Sequence, residues 1–187
     1  RSMPARFGPA GNSDSFHEIK GATSLDVPKW LSERGLDAYE YQCGRGVNIG
    51  RATAEKLGAR AREYGVALSL HSPYYISLSN SDPKRIEANI GYILQSVEAA
   101  DWMGATRVVV HSGSAGVTDR EKALKDARSC ILQARSRMEA HGLAHVSLCL
   151  ETMGKVKTFG TLNEVARLCL SDKRLIPCVD FGHLNAR

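Results

Sequence analysis

ATRVVVH (residues 105–111) and HVSLCLE (145–151) carry the strongest signal of the fold. Each is a short apolar run without polar alternation, the pattern of a strand covered on both faces by helices in a parallel sheet. Each ends on a polar side chain, an imidazole in one and a carboxylate in the other. Outward from them the pattern recurs. VALSLH (66–71) ends on His71, and LIPCVD (175–180) ends on Asp180, with His183 just beyond. Residues 5–10 and DAYEYQ (37–42) complete a set of six predicted strands.

Segments of helical period separate these runs. Residues 50–64 lie between Gly50 and Gly65. Asp82-Pro83 opens a segment to about residue 103, where Ile86, Ile90, Ile93, Leu94, Val97 and Ala100 share one face of a 3.6-residue period. Thr118 or Asp119 can cap a helix that stops at Gly142, and another is expected at 161–171. Strands alternating with helices argue for parallel βαβ units, in either an α/β barrel or an open doubly wound sheet. No GxGxxG turn follows the first strand, which counts against a dinucleotide-binding sheet. No linker, repeat or low-complexity tract divides the chain, so residues 1–187 are read as one domain.

Composition excludes several classes. At 187 residues and 43% hydrophobic content, the chain can bury a sizeable core. No apolar stretch approaches a membrane span, and no signal peptide opens the chain. Five cysteines, with no CxxC pair, read as reduced thiols of a cytoplasmic protein, not as a disulfide framework or a sulfur-based zinc site. The net charge of +5 permits a polyanionic partner, although it is spread over 25 basic and 20 acidic residues. Arg1-Ser2 before Met3 reads as the remnant of an expression tag.

A parallel barrel delivers the C-terminal residue of every strand to the same face, where active sites are built. His71, His111, Glu151, Asp180 and His183 are therefore expected to converge. Two imidazoles with carboxylates suit zinc or manganese. A carboxylate such as Glu151 can bridge two ions ~3.5–4 Å apart, which activate water and neutralise charge on a phosphate. No Ser–His–Asp or Cys–His arrangement competes as a nucleophile. His17, His141 and His145 are expected to be structural. Tyr74 and Tyr75 follow a ligand strand directly, a position for rim packing or for stacking on nucleotide bases. Arg45, in QCGRG after the second strand, is placed on the same face and could touch phosphate.

These segments carry a family resemblance. HSPYYISL, HSG, LETMGK and CVDFGH resemble, in order and spacing, the third-strand His-x-x-Tyr, the fourth-strand His, the Glu-Thr-x-Gly and the Asp-x-x-His segments of the endonuclease IV family. The resemblance implies a TIM (β/α)8 barrel of the xylose isomerase-like type, about six of whose strands are present. It further implies a monomeric enzyme using up to three Zn2+ ions to cut double-stranded DNA 5′ to abasic sites in base-excision repair. His71, His111 and Glu151 would hold one ion, Glu151 and Asp180 a second, and His183 the third, with Glu151 central to catalysis. Tyr74 matches a position that enters the DNA.

The chain departs from that pattern where Ser77 replaces the usual Asn, Ser79 a small residue, and Phe181-Gly182 the usual Thr and Cys. The family's remaining ligands lie on later strands. A complete barrel needs roughly 250 residues, so the natural protein is expected to continue past Arg187, and this portion to bind metal weakly and cleave poorly. Sugar isomerases and epimerases of the related barrels also use a Glu and an Asp-x-x-His. They generally take no ligands where His71 and His111 stand, which favours the nuclease. A catalytically dead binding module is the third reading.

Overall fold

The computed structural model describes residues 5–187, so the reading of Arg1 and Ser2 lies outside it. In chain order it contains α1 (Asp14–His17), α2 (Val27–Ser32), β1 (Ala38–Gln42), α3 (Arg51–Glu63), β2 (Ala67–His71), α4 (Pro83–Trp102), β3 (Arg107–His111), α5 (Arg120–Ala140), β4 (Ser147–Glu151), α6 (Leu162–Cys169), β5 (Leu175–Cys178) and α7 (Phe181–Asn185). The five strands are parallel and hydrogen-bonded in sequence order. Consecutive order is that of a barrel wall, whereas a doubly wound sheet reverses its order at a switch point.

The helices begin where the sequence supplies caps. Asp82 accepts a hydrogen bond from Lys84 N ahead of Pro83, Asp119 accepts from Lys122 N, and Thr161 and Glu164 form a reciprocal capping box. One face of each long helix then covers the sheet. Ile90, Ile93 and Val97 of α4, with Ala127, Ile131 and Ala134 of α5, are fully buried with Leu70, Val108, Val110, Leu148 and Leu150 of the strands. Burying each large aliphatic side chain contributes about 1.5–3 kcal/mol. Alternation sends Val109, Cys149 and Ile176, in register on β3, β4 and β5, to the opposite face.

Two strand expectations are corrected. Residues 5–10 run beside β1 without becoming a strand. Phe7 O accepts from the N–H groups of Asp37 and Ala38, Pro9 O accepts from Glu40 N, and only Ala10 forms an isolated bridge with Glu40. Pro9 has no N–H to give a ladder. Gly8 lies so close to β1 that a Cβ would overlap Ala38 O. Six predicted strands thus become five. The last also ends at Cys178, short of 180, because Asp180 turns to accept from His183 N and cap α7. Helices α1, α2 and α7 are too short for periodicity to reveal.

Candidate metal centre

The register of the sheet places the ligand candidates. His111 and Glu151 are partners on adjacent strands β3 and β4. His71 pairs with Val109, two residues before His111 and therefore on the same face. Three strand ends thus meet. Nε2 of His71 lies 3.3 Å from Oε2 of Glu151, and Nε2 of His111 lies 3.2 Å from the same oxygen.

The other nitrogen of each ring explains the aim. His71 Nδ1 lies 2.7 Å from Ser72 O, and His111 Nδ1 lies 3.2 Å from Tyr74 O. A carbonyl only accepts, so each Nδ1–H donates and each Nε2 is turned to the centre, the arrangement that orients metal-binding histidines. Burial pushes the Glu151 carboxyl pKa up, but the hydrogen bonds from His111 and His71 outweigh it and hold the group at about 2. Burial pulls His71 down, and its bonds to Glu151 and the Ser72 carbonyl reverse that and raise it. The carboxylate is therefore charged, buried and faced by nitrogen donors.

The second oxygen faces another group. Oε1 of Glu151 lies 3.9 Å from Nδ1 of His183, which is 3.5 Å from Oδ2 of Asp180. That same Nδ1 lies 2.8 Å from Thr152 O, so in His183, unlike His71 and His111, the nitrogen bonded to a carbonyl is also the one beside the carboxylates. Ligand atoms of His71, His111 and Glu151 lie within 4.8 Å of one another, as do those of Glu151, Asp180 and His183. Both sets fit zinc or manganese, since each joins imidazole to carboxylate. Glu151 belongs to both, one oxygen toward each. The resemblance assigns Asp180 and His183 to different ions; here their side chains lie together with Glu151.

Tyr74 is exposed, yet its ring stacks on His111 at a centroid distance of 5.7 Å and meets His71 edge-on at 5.3 Å. It closes over Gly44, where a Cβ would stand 2.2 Å from Tyr74 Cε2. Arg45 is exposed on the neighbouring loop. Tyr75 packs edge-on against Tyr92 of α4. Ser77 and Ser114 share a hydrogen bond between their hydroxyls, and Ser79 Oγ accepts from Ser114 N, so the divergent serines tie the β2 and β3 loops together. His141 Nδ1 bonds Arg137 O at the end of α5, His145 pairs with Asp101 at 2.8 Å, and His17 closes α1; none joins the centre. The carbonyls of Ser72, Tyr74 and Thr152 escape a sequence reading because backbone oxygens carry no side-chain signal. All five cysteines are free thiols. No helix among the described residues is long and apolar enough to cross a membrane.

Comparison with known proteins agrees with this architecture. An uncharacterized protein of Methanocaldococcus jannaschii is 31% identical over all of this chain and 65% of its own length. A probable endonuclease 4 of Acholeplasma laidlawii is 30% identical over 70% of this chain and 46% of its own length. The chain thus spans about half to two thirds of these relatives. Among solved structures, D-psicose 3-epimerase of Clostridium cellulolyticum H10 superposes with a TM-score of 0.73 at 14% identity, over 88% of this chain and 60% of that one. That likeness speaks to fold alone. The xylose isomerase-like TIM barrel family model matches residues 28–187, and the chain belongs to that family.

Proposed function

We propose that this chain is part of a metal-dependent endonuclease that hydrolyses the DNA phosphodiester 5′ to an abasic site. The observation that carries the reading is the convergence of His71 and His111, from adjacent strands, on one oxygen of Glu151. Two histidine ligands at these strand ends are the feature that the sequence resemblance assigns to the nuclease and not to the sugar-processing barrels. The name of the Acholeplasma relative supports it.

When bound, zinc or manganese ions would supply a nucleophile at neutral pH and positive charge against the phosphate. This chain's part is to hold them. His71, His111 and Glu151 would ligate one ion; Glu151, Asp180 and His183 would ligate another. Glu151 keeps its charge because two imidazoles face it, and the Ser72, Tyr74 and Thr152 carbonyls fix the three rings. Tyr74, over the centre and half open to solvent, would meet a base or an abasic gap, and Arg45 would meet phosphate.

A sugar epimerase remains the second reading because Glu151, Asp180 and His183 also suit that chemistry. The test uses the natural full-length protein loaded with zinc or manganese, offered a duplex with one abasic site. The expected result is incision on the 5′ side. Turnover of a ketose without incision would overturn the nuclease.

A further inference from the structure

Beside the metal centre lies a cavity of about 610 Å3, within the usual range for a small-molecule site. His111 and His183 line it, so it opens onto the centre. Its remaining wall includes Arg85 of α4, Lys155 of the β4–α6 loop, and the hydroxyls of Ser77 and Ser114. No aspartate or glutamate lines it. Arg85 and Lys155 are exposed, and among the described residues neither forms an ion pair. This contrasts with Arg120, Arg137, Arg167 and Arg174, each of which pairs with a carboxylate.

Two unpaired cations around a carboxylate-free cavity make an electropositive mouth, which gathers anions and suits phosphate. A neutral ketose would gain nothing from them. The helix and the loop that present them are anchored. Asn89 donates to Ser77 O, and Ser77 bonds Ser114 across to the β3 loop. Arg120 donates to Thr158 O and pairs with Glu164, fixing the loop of Lys155 to α6.

We infer that the cavity between Arg85 and Lys155 is an anion subsite that holds a backbone phosphate of a polynucleotide strand next to the group at the metal centre. This rests on the reading of that centre as a phosphodiesterase and adds two residues that contact the strand outside it. Phosphate could also arrive on a small sugar, and the experiment separates these sources.

The full-length protein, Arg85→Ala, Lys155→Ala, and Lys56→Ala as a control on the exposed face of α3, are titrated with a labelled duplex containing a tetrahydrofuran abasic analogue at several salt concentrations. Zinc content is measured on each. The titration is repeated in EDTA and with a pentose 5-phosphate as competitor. Each cavity variant should bind the duplex about eightfold more weakly at ~0.1 M salt, and the slope of log affinity against log salt should fall by about 0.9, the value for one lost phosphate contact. Lys56→Ala should change neither, and zinc content should stay that of the wild type. An unchanged salt slope in both cavity variants would overturn the subsite. So would pentose phosphate binding that depends on Arg85 and Lys155 without duplex binding. Absence of zinc from the wild-type protein, with the salt slopes still shifted, would instead overturn the metal centre alone.

Discussion

His111 Nε2 stands 3.2 Å from Oε2 of Glu151, its register partner on the next strand, while its Nδ1 is tied to the Tyr74 carbonyl. The ring is held from both sides, so removing it should damage the centre more than the fold. His111→Ala is expected to lower zinc affinity at least tenfold, by the measure of disrupted metal sites, with far-ultraviolet circular dichroism unchanged. Competition with a chromophoric chelator checks this, and undiminished affinity would remove His111 from the ligand set.

Glu164 is the clearest source of acid sensitivity outside the centre. Burial pushes its pKa up, but Arg120 and the Gly160 and Thr161 amides outweigh it and hold the group at about 2, against 4.5 unperturbed. A depressed carboxylate pKa contributes stability that is fully present above about pH 4.5 and is lost as pH falls toward 2. Glu164→Gln should therefore destabilise the protein by about 2–3 kcal/mol at pH 7, with the difference shrinking below pH 4. Urea melts at pH 7 and pH 3 measure it, and a gap that stays constant between them would refute the linkage.

Gly44 gives the Tyr74 ring its place. A Cβ at that position would lie 2.2 Å from Tyr74 Cε2, so Gly44→Ala should displace the ring from His111 while zinc content is kept. Ring-current shifts of the His71 and His111 protons report the movement. Unshifted resonances would mean that Tyr74 does not rest on these rings in solution.

Arg135 is a stability element remote from the chemistry. Buried on α5, it donates to the Val146 and Ala144 carbonyls and lies 4.0 Å from Asp172. Arg135→Ala strands those acceptors and should cost about 3 kcal/mol with metal affinity per folded molecule unchanged. A chemical melt and a zinc titration distinguish this from a loss at the site.

Much of this was legible in the residues. The unbroken Val108-Val109-Val110 run marks a strand covered on both sides, and the caps at Asp82 and Asp119 stand where two long helices start. The strand-end positions of His71, His111 and Glu151 needed only the rule that parallel strands deliver their ends to one face. What stayed hidden depends on three dimensions. Pro9 and Gly8 turn an apparent first strand into a flanking segment, and Asp180 leaves β5 to cap a helix of five residues, too short to show a period. The cavity brings Arg85 of helix α4 near Lys155 of the β4–α6 loop, an approach that no local pattern encodes.

Glu151 belongs to both candidate ligand sets, and anomalous diffraction at the zinc edge on zinc-soaked crystals would show whether ions sit on them. One zinc peak is expected within ~2.0–2.2 Å of His71 Nε2, His111 Nε2 and a Glu151 oxygen, with further density toward Asp180 and His183. The absence of a peak at Glu151, or a peak that touches neither His71 nor His111, would contradict it.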